Sequence, residues 1–215
     1  MMFWRKNKRI NTNESGFTIL ELMLAMTVFS LVLVAAAAGL IQVGRMYYKS
    51  VITTRTQDTN RAVIDEITRS VQFSGSIPNI VEDADTGDIM AFCVGNVRYT
   101  PNPDPNAVVG DGSTIGLFKD EVGSSSCPAE SDLSSLAGSD GTELLGEHMR
   151  LTRFEVDSIP DTDQYRVTVW IAYGDEDDLF HIDEDTNRYT CQSGAIGSEF
   201  CAISELSSVV SRRLQ

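Results

Sequence analysis

Histidine is nearly missing from this 215-residue chain, with His148 and His181 the whole supply. Two imidazoles and no Cys-x-x-Cys pair make a poor ligand set for zinc. The same shortage removes the usual general base. No Ser-His-Asp or Cys-His arrangement stands out, and the carboxylates are too many for one pair to be singled out as acid and base, so the sequence reads as that of a non-enzyme. Basic side chains are thin in the C-terminal part: residues 73–215 hold eight Lys/Arg against 26 Asp/Glu, a net charge of −18. Sequence-independent binding of nucleic acid rests on lysine and arginine meeting phosphates, so nucleic acid is not an expected partner. From Met46 to Phe73 there is neither proline nor glycine, and nothing there breaks a helix. Between Phe17 and Val43 charge is missing, with one exception, Glu21.

That run decides the organisation of the chain. Its other polar side chains are Thr18, Thr27, Ser30 and Gln42. As a helix rising about 1.5 Å per residue it is about 40 Å long, enough to cross a hydrocarbon core roughly 30 Å thick. A lone carboxylate in such a span is costly, about 2.5–3.5 kcal/mol at the bilayer centre and less near its end, which marks Glu21 as a functional candidate. Its natural partner is a cation, and the run contains none. A cut after Gly16 would make one, because Phe17 would then carry an α-ammonium group. Glu21 of one copy could pair with the Phe17 amine of another and hold two helices at a fixed stagger. The alternative is local: an acid in the first turn complements the helix dipole and could meet its own amine.

The residues before the run are basic, Arg5, Lys6, Lys8 and Arg9 against Glu14. The positive-inside rule keeps that end in the cytoplasm and sends the C-terminal part across the membrane. A secretory signal would be cut after its apolar stretch; here the small residue lies before it, so the helix is expected to be kept. Gly16-Phe17-Thr18-Ile19-Leu20-Glu21-Leu22, behind a short basic leader, resembles the processing site of type IV pilins and pseudopilins. The resemblance implies that a prepilin peptidase cuts between Gly16 and Phe17 and methylates the new amine, with Glu21 as the assembly carboxylate. The string Gln57 to Arg69, ending at Gly75, also resembles minor pilins of the W type and pseudopilins of the J type.

What the family implies for the whole chain is an α+β pilin fold, one long N-terminal helix packed on an antiparallel β-sheet head. The expected division is 1–16 leader, 17–44 membrane and filament-core helix, 45–74 amphipathic second half of the helix, and 75–215 head. Ala35 to Gly39 and Gly44 give the span a small-residue face suited to close helix contacts. Arg45, Tyr47, Tyr48 and Lys49 follow as an interfacial anchor. Thr53 to Arg61 reads as a solvated neck. Val63, Ile64, Ile67 and Val71 recur at helical spacing and should pack on the head. Gly75 and Pro78 end the helix. Ile89–Val94 reads as the first strand. Tyr99 to Gly112, with Pro101, Pro103 and Pro105, reads as a loop, and residues 119–143 as a long irregular excursion. Met149–Val156 and Gln164–Tyr173 read as a hairpin turning over Pro160–Asp163, and Ser204–Arg213 as a last strand.

Four cysteines in an exported head suit disulfides, and three pairings are open; reduced thiols remain the alternative. The family's terminal disulfide implies Cys191 with Cys201, which leaves Cys93 with Cys127. No cofactor is expected. Asp183, Asp185 and Asn187 place oxygens at alternate positions and are candidate calcium ligands. The stretch lacks the glycine and glutamate of an EF-hand, with Arg188 and Gly194 in their places, so it reads first as a solvated acidic loop, with a calcium site the alternative.

Taken together, these residues point to a minor, low-copy pilin that initiates or caps a filament. The alternatives are a minor pseudopilin of a type II secretion system and, in another class, a membrane-anchored binding module. The expected partners are other pilin subunits, the prepilin peptidase, an inner-membrane assembly platform and the membrane itself through residues 17–44. The expected location is the inner membrane, single-pass, with the head outside the cytoplasm, and afterwards a pilus or pseudopilus.

Overall fold

The computed structural model describes residues 16–104, 106–110, 114–123, 127, 133, 136, 140–174, 180–183, 188–192 and 197–212. The chain divides into two compact units, Met1–Gly44 and Arg45–Gln215. One helix, α1 (Ile19–Phe73), is followed by β1 (Asn79–Glu82), β2 (Ile89–Val94), β3 (Val97–Pro101), β4 (Leu117–Glu121), β5 (Thr142–Glu143), β6 (Met149–Ile159), β7 (Gln164–Tyr173), β8 (Phe180–Asp183), β9 (Arg188–Cys191) and β10 (Ala202–Ser211). This is an α+β, type IV pilin-like layout, a long N-terminal helix whose second half packs against antiparallel strands. Among the described residues the head's strands form three antiparallel sheets, in the orders β1-β2-β3-β4-β5, β10-β7-β6 and β8-β9.

In the first unit α1 is exposed along its length, and its hydroxyls close on its own backbone. Thr27 donates to Leu24 O and Ser30 to Met26 O, both at 2.8 Å. Polar groups satisfied inside the helix make no demand on water, as a span in hydrocarbon requires. It is long and apolar enough to cross a membrane.

In the second unit α1 turns one stripe inward: Ile52, Thr56, Asn60, Val63, Ile64, Ile67 and Val71 are buried. The stripe begins nearly three turns earlier than the apolar pattern announces, so the expected solvated neck is corrected. Thr56 and Asn60 lie fully inside because partners meet them there. The Thr56 hydroxyl donates to Ile52 O at 2.9 Å, and the Asn60 amide donates to Val169 O at 3.1 Å and Ser204 O at 3.0 Å. Asn60 thereby bridges α1 to β7 and β10. Around it one core joins Val63, Ile67 and Val71 to Phe92, Tyr99 and Leu117 of the five-stranded sheet and to Leu151, Val169 and Ile171 of the three-stranded sheet. Each such side chain contributes about 1.5–3 kcal/mol by leaving water. The helix stops where Gly75 takes φ +65°, a left-handed cap that costs glycine nothing.

Four strands, β1, β3, β4 and β5, reach into segments where turns and loops were expected. β1 precedes the expected first strand and pairs with β2 through a turn in which Asp83 Oδ1 accepts from Asp85 N at 2.7 Å. The loop expected from Tyr99 starts later, because Tyr99, Thr100 and Pro101 complete β3 opposite Lys119, Phe118 and Leu117. The ladder then passes to Asn102, whose N–H reaches Gly116 O at 2.8 Å. The expected excursion likewise loses its first residues to β4 and its last to β5. The hairpin β6–β7 extends three residues beyond its expected first strand, to Ile159.

Tyr99 is fully buried, with its hydroxyl 2.6 Å from Ser70 Oγ. Burial pushes its phenol up from 10.0 to about 12; the hydrogen bond to Ser70 works the other way, and the charge of Glu66 adds to the rise. Between those pH values the unfolded chain has lost this proton and the folded chain still holds it, so stability falls as pH rises. The contribution is complete below pH 10 and should decline by about 2–3 kcal/mol by pH 12. Denaturant titrations at pH 9 and pH 11.5 are expected to show this decline in the natural chain and a smaller one in Tyr99→Phe.

Candidate functional site

The start of α1 carries the residues that the sequence marks. Gly16 and Phe17 precede the helix, and Phe17 is 81% exposed. A Cβ built on Gly16 meets nothing within 4 Å. Among the described residues nothing therefore demands glycine at that position.

Thr18 is the N-cap, and Glu21 stands at the third helical position. The two are reciprocally bonded: Glu21 N–H donates to Thr18 Oγ1 at 3.2 Å, while the Thr18 N–H and hydroxyl both donate to Glu21 Oε2 at 3.3 Å. This is a capping box, which satisfies backbone donors that the first helical turn would otherwise leave open. The cap uses Oε2 alone, and Oε1 has no partner among the described residues. The Thr18 amide would remain an amide after a cut before Phe17, so the cap does not depend on the leader.

Where the second unit begins, α1 holds a 3-10 turn, Ser198–Phe200. Lys49 Nζ donates to Ser198 O at 3.1 Å and Cys201 O at 2.8 Å, Arg45 lies 3.6 Å from Glu199, and the Tyr48 ring stands 6.1 Å from Phe200. The basic anchor read from the sequence is thus partly engaged, with Lys49 turned onto backbone carbonyls. Cys191 at the end of β9 is bonded to Cys201 beside this turn, and Cys93 on β2 to Cys127, with Cα–Cα distances of 5.8 and 5.6 Å.

Asp183 is the last residue of β8, while Asp185 and Asn187 lie outside the described residues. Among the described residues no three of His, Cys, Asp or Glu come together to hold a metal ion. A groove of about 840 Å³ is lined by Glu66, Lys119, Asp120, Glu121 and Asp140. Its charges are already engaged in part: Lys119 pairs with Glu66, and Arg98 with Asp120. Sequence reading missed Thr18 as the cap, although Thr-x-x-Glu before an apolar run is a recognised sign. It also missed Glu143, whose carboxylate accepts three backbone N–H bonds, from Gly116, Leu117 and Leu145, each at 2.9 Å.

Residues 11–37 match the family model described as the prokaryotic N-terminal methylation motif. No curated protein and no solved structure gives a significant match. The motif supports a type IV pilin or pseudopilin precursor, processed by a prepilin peptidase and assembled with other pilin subunits. With the apolar helix, it is consistent with a single-pass protein anchored in the inner membrane.

Proposed function

We propose that this chain is a minor, low-copy pilin that initiates or caps a type IV filament. It is cut between Gly16 and Phe17, N-methylated on Phe17 and seated through Glu21. The assembly platform of the inner membrane receives it with its head outside the cytoplasm. The W- and J-type likeness of Gln57 to Arg69 fits this reading.

The observation that carries the pilin part is the methylation motif at residues 11–37, continuous with an uncovered apolar helix that leads into an α+β head. The cut explains an exposed glycine that the fold does not use. Intact mass of the membrane-extracted protein is expected to begin at methylated Phe17. An N-terminus at Met1, or one beyond Val43, would overturn this. Gly16→Val is expected to leave the precursor uncut.

Charge favours the low-copy part. The head's net −18 over residues 73–215 makes copies repel when stacked within the roughly 8 Å over which physiological salt leaves charges unscreened. A single such head at a tip, or beside less acidic partners, meets no such cost. Quantitative mass spectrometry of sheared filaments is expected to find this chain far below the most abundant pilin, and parity with that pilin would end the minor-subunit reading.

A further inference from the structure

Given the membrane-anchored reading above, the turn at Ser198–Phe200 has a use that the motif does not supply. Tyr47, Tyr48 and Phe200 are 66%, 56% and 46% exposed, although they touch: Tyr47 to Tyr48 and Tyr48 to Phe200 both measure 6.1 Å between ring centroids. Two of these rings come from α1 and the third from the far end of the chain. Phe200 is set there by the Cys191–Cys201 bond and by the two carbonyl bonds of Lys49.

The position of the cluster along the chain points to its partner. Tyr47 and Tyr48 lie four and five residues beyond Val43, the last residue of the apolar run, which is about 6–8 Å of helix rise. The polar layer on each face of a bilayer is about 5–8 Å deep. Tyr47 and Tyr48, with an apolar body and a polar tip, are of the kind that concentrates in that layer, and Phe200 adds an apolar ring beside them. The local charge agrees. The head is strongly acidic, and most of its surface would be repelled by anionic headgroups. At this turn the carboxylate present, Glu199, is paired with Arg45 and keeps only 19% of its side chain exposed. The Lys49 ammonium is spent on carbonyls. Among the described residues of this turn, what remains outward is aromatic, with Arg45 and Lys49 against the single carboxylate of Glu199.

We infer that Phe200, with Tyr47 and Tyr48, forms a lipid-contacting foot by which the head rests in the headgroup layer before assembly. The C-terminal disulfide then has a stated task, which is to hold a third ring in register with two on the helix.

The test uses the full chain in phosphatidylglycerol/phosphatidylethanolamine vesicles, with Trp4 and Trp170 changed to Phe and one tryptophan returned at a time. Phe200→Trp keeps an aromatic ring, so folding is not at issue. Its fluorescence is expected to be quenched several-fold more by a lipid spin-labelled near the headgroup than that of Ile77→Trp, an exposed position (70%) beyond the C-terminal end of α1. Leu31→Trp reports the span through a lipid labelled deep in the chain. Deep quenching at 31 with equal shallow quenching at 200 and 77 would overturn the foot and leave the anchor standing. Absence of quenching at 31 would remove the anchor and the foot together. Shielding at 200 that grows with protein density, without lipid quenching, would assign the rings to a neighbouring subunit and likewise overturn the proposal.

Discussion

Changing Glu21 to glutamine is expected to leave the chain cut and inserted, yet to lower its incorporation into filaments by roughly a hundredfold to a few thousandfold, because removing one partner of a desolvated ion pair costs roughly 3–5 kcal/mol. Glutamine serves in a capping box as well as glutamate does, so the bonds with Thr18 persist and the helix start is kept. The loss is confined to charge, at the oxygen left free to meet a neighbour's Phe17 amine. Thr18→Ala makes the complementary change. It removes the cap, worth about 1 kcal/mol, keeps the carboxylate and should incorporate nearly normally. Immunoblots of membrane and sheared-filament fractions compare the two. Normal incorporation of Glu21→Gln would rule out the pairing, and failure of Thr18→Ala beside a normal Glu21→Gln would make Glu21 a cap and nothing more.

Glu143→Ala is expected to destabilise the head by about 3–5 kcal/mol, since hydrogen bonds to a charged acceptor are worth about 1.5–3 kcal/mol each and three of them do not add fully. Oε1 accepts from Leu117 and Leu145, and Oε2 from Gly116. One side chain thus holds the start of β4 against the segment that leaves β5. Removing it strands three donors, one of them on Leu117, which is fully buried. Glu143→Gln should lie between the two, because its NH₂ group can accept nothing. Urea midpoints of the detergent-solubilised chain measure the series. A loss below about 1 kcal/mol for the alanine variant would mean that water replaces the carboxylate without cost.

These two acids illustrate what could be read beforehand. Glu21 stands out because its surroundings are its sequence neighbours, an apolar run that leaves one charge unexplained. Glu143 closes a stretch rich in Ser, Asp and Gly that reads as an irregular excursion. Its partners at 116 and 117 lie 27 and 26 residues earlier, beyond any periodic signal. The strands divide in the same way. β7 alternates Tyr165, Val167, Val169, Ile171 and Tyr173 on one face and was legible with its hairpin partner. β1 has two exposed and two half-buried residues and no alternation to offer. β3 ends on a proline that reads as a loop, yet Tyr99 and Thr100 before it are fully buried. The three rings at the foot could be read only in part, because Phe200 lies more than 150 residues from Tyr48.

The sequence by itself determined the long apolar helix, its stop at Gly75 and the methylation motif, because transfer of apolar side chains and the grip of a peptidase on extended backbone are sums over adjacent residues. The tertiary structure decided which polar groups go inside. Thr56 and Asn60 look like a solvated neck and Lys49 like part of a free basic anchor. Asn60 is buried because Val169 O and Ser204 O accept from it, and Lys49 is turned inward by Ser198 O and Cys201 O. Burying a polar group is costly without a partner and tolerable with one. For Asn60 and Lys49 that partner is supplied by chain more than a hundred residues away, whereas Thr56 closes on Ile52 O in its own helix.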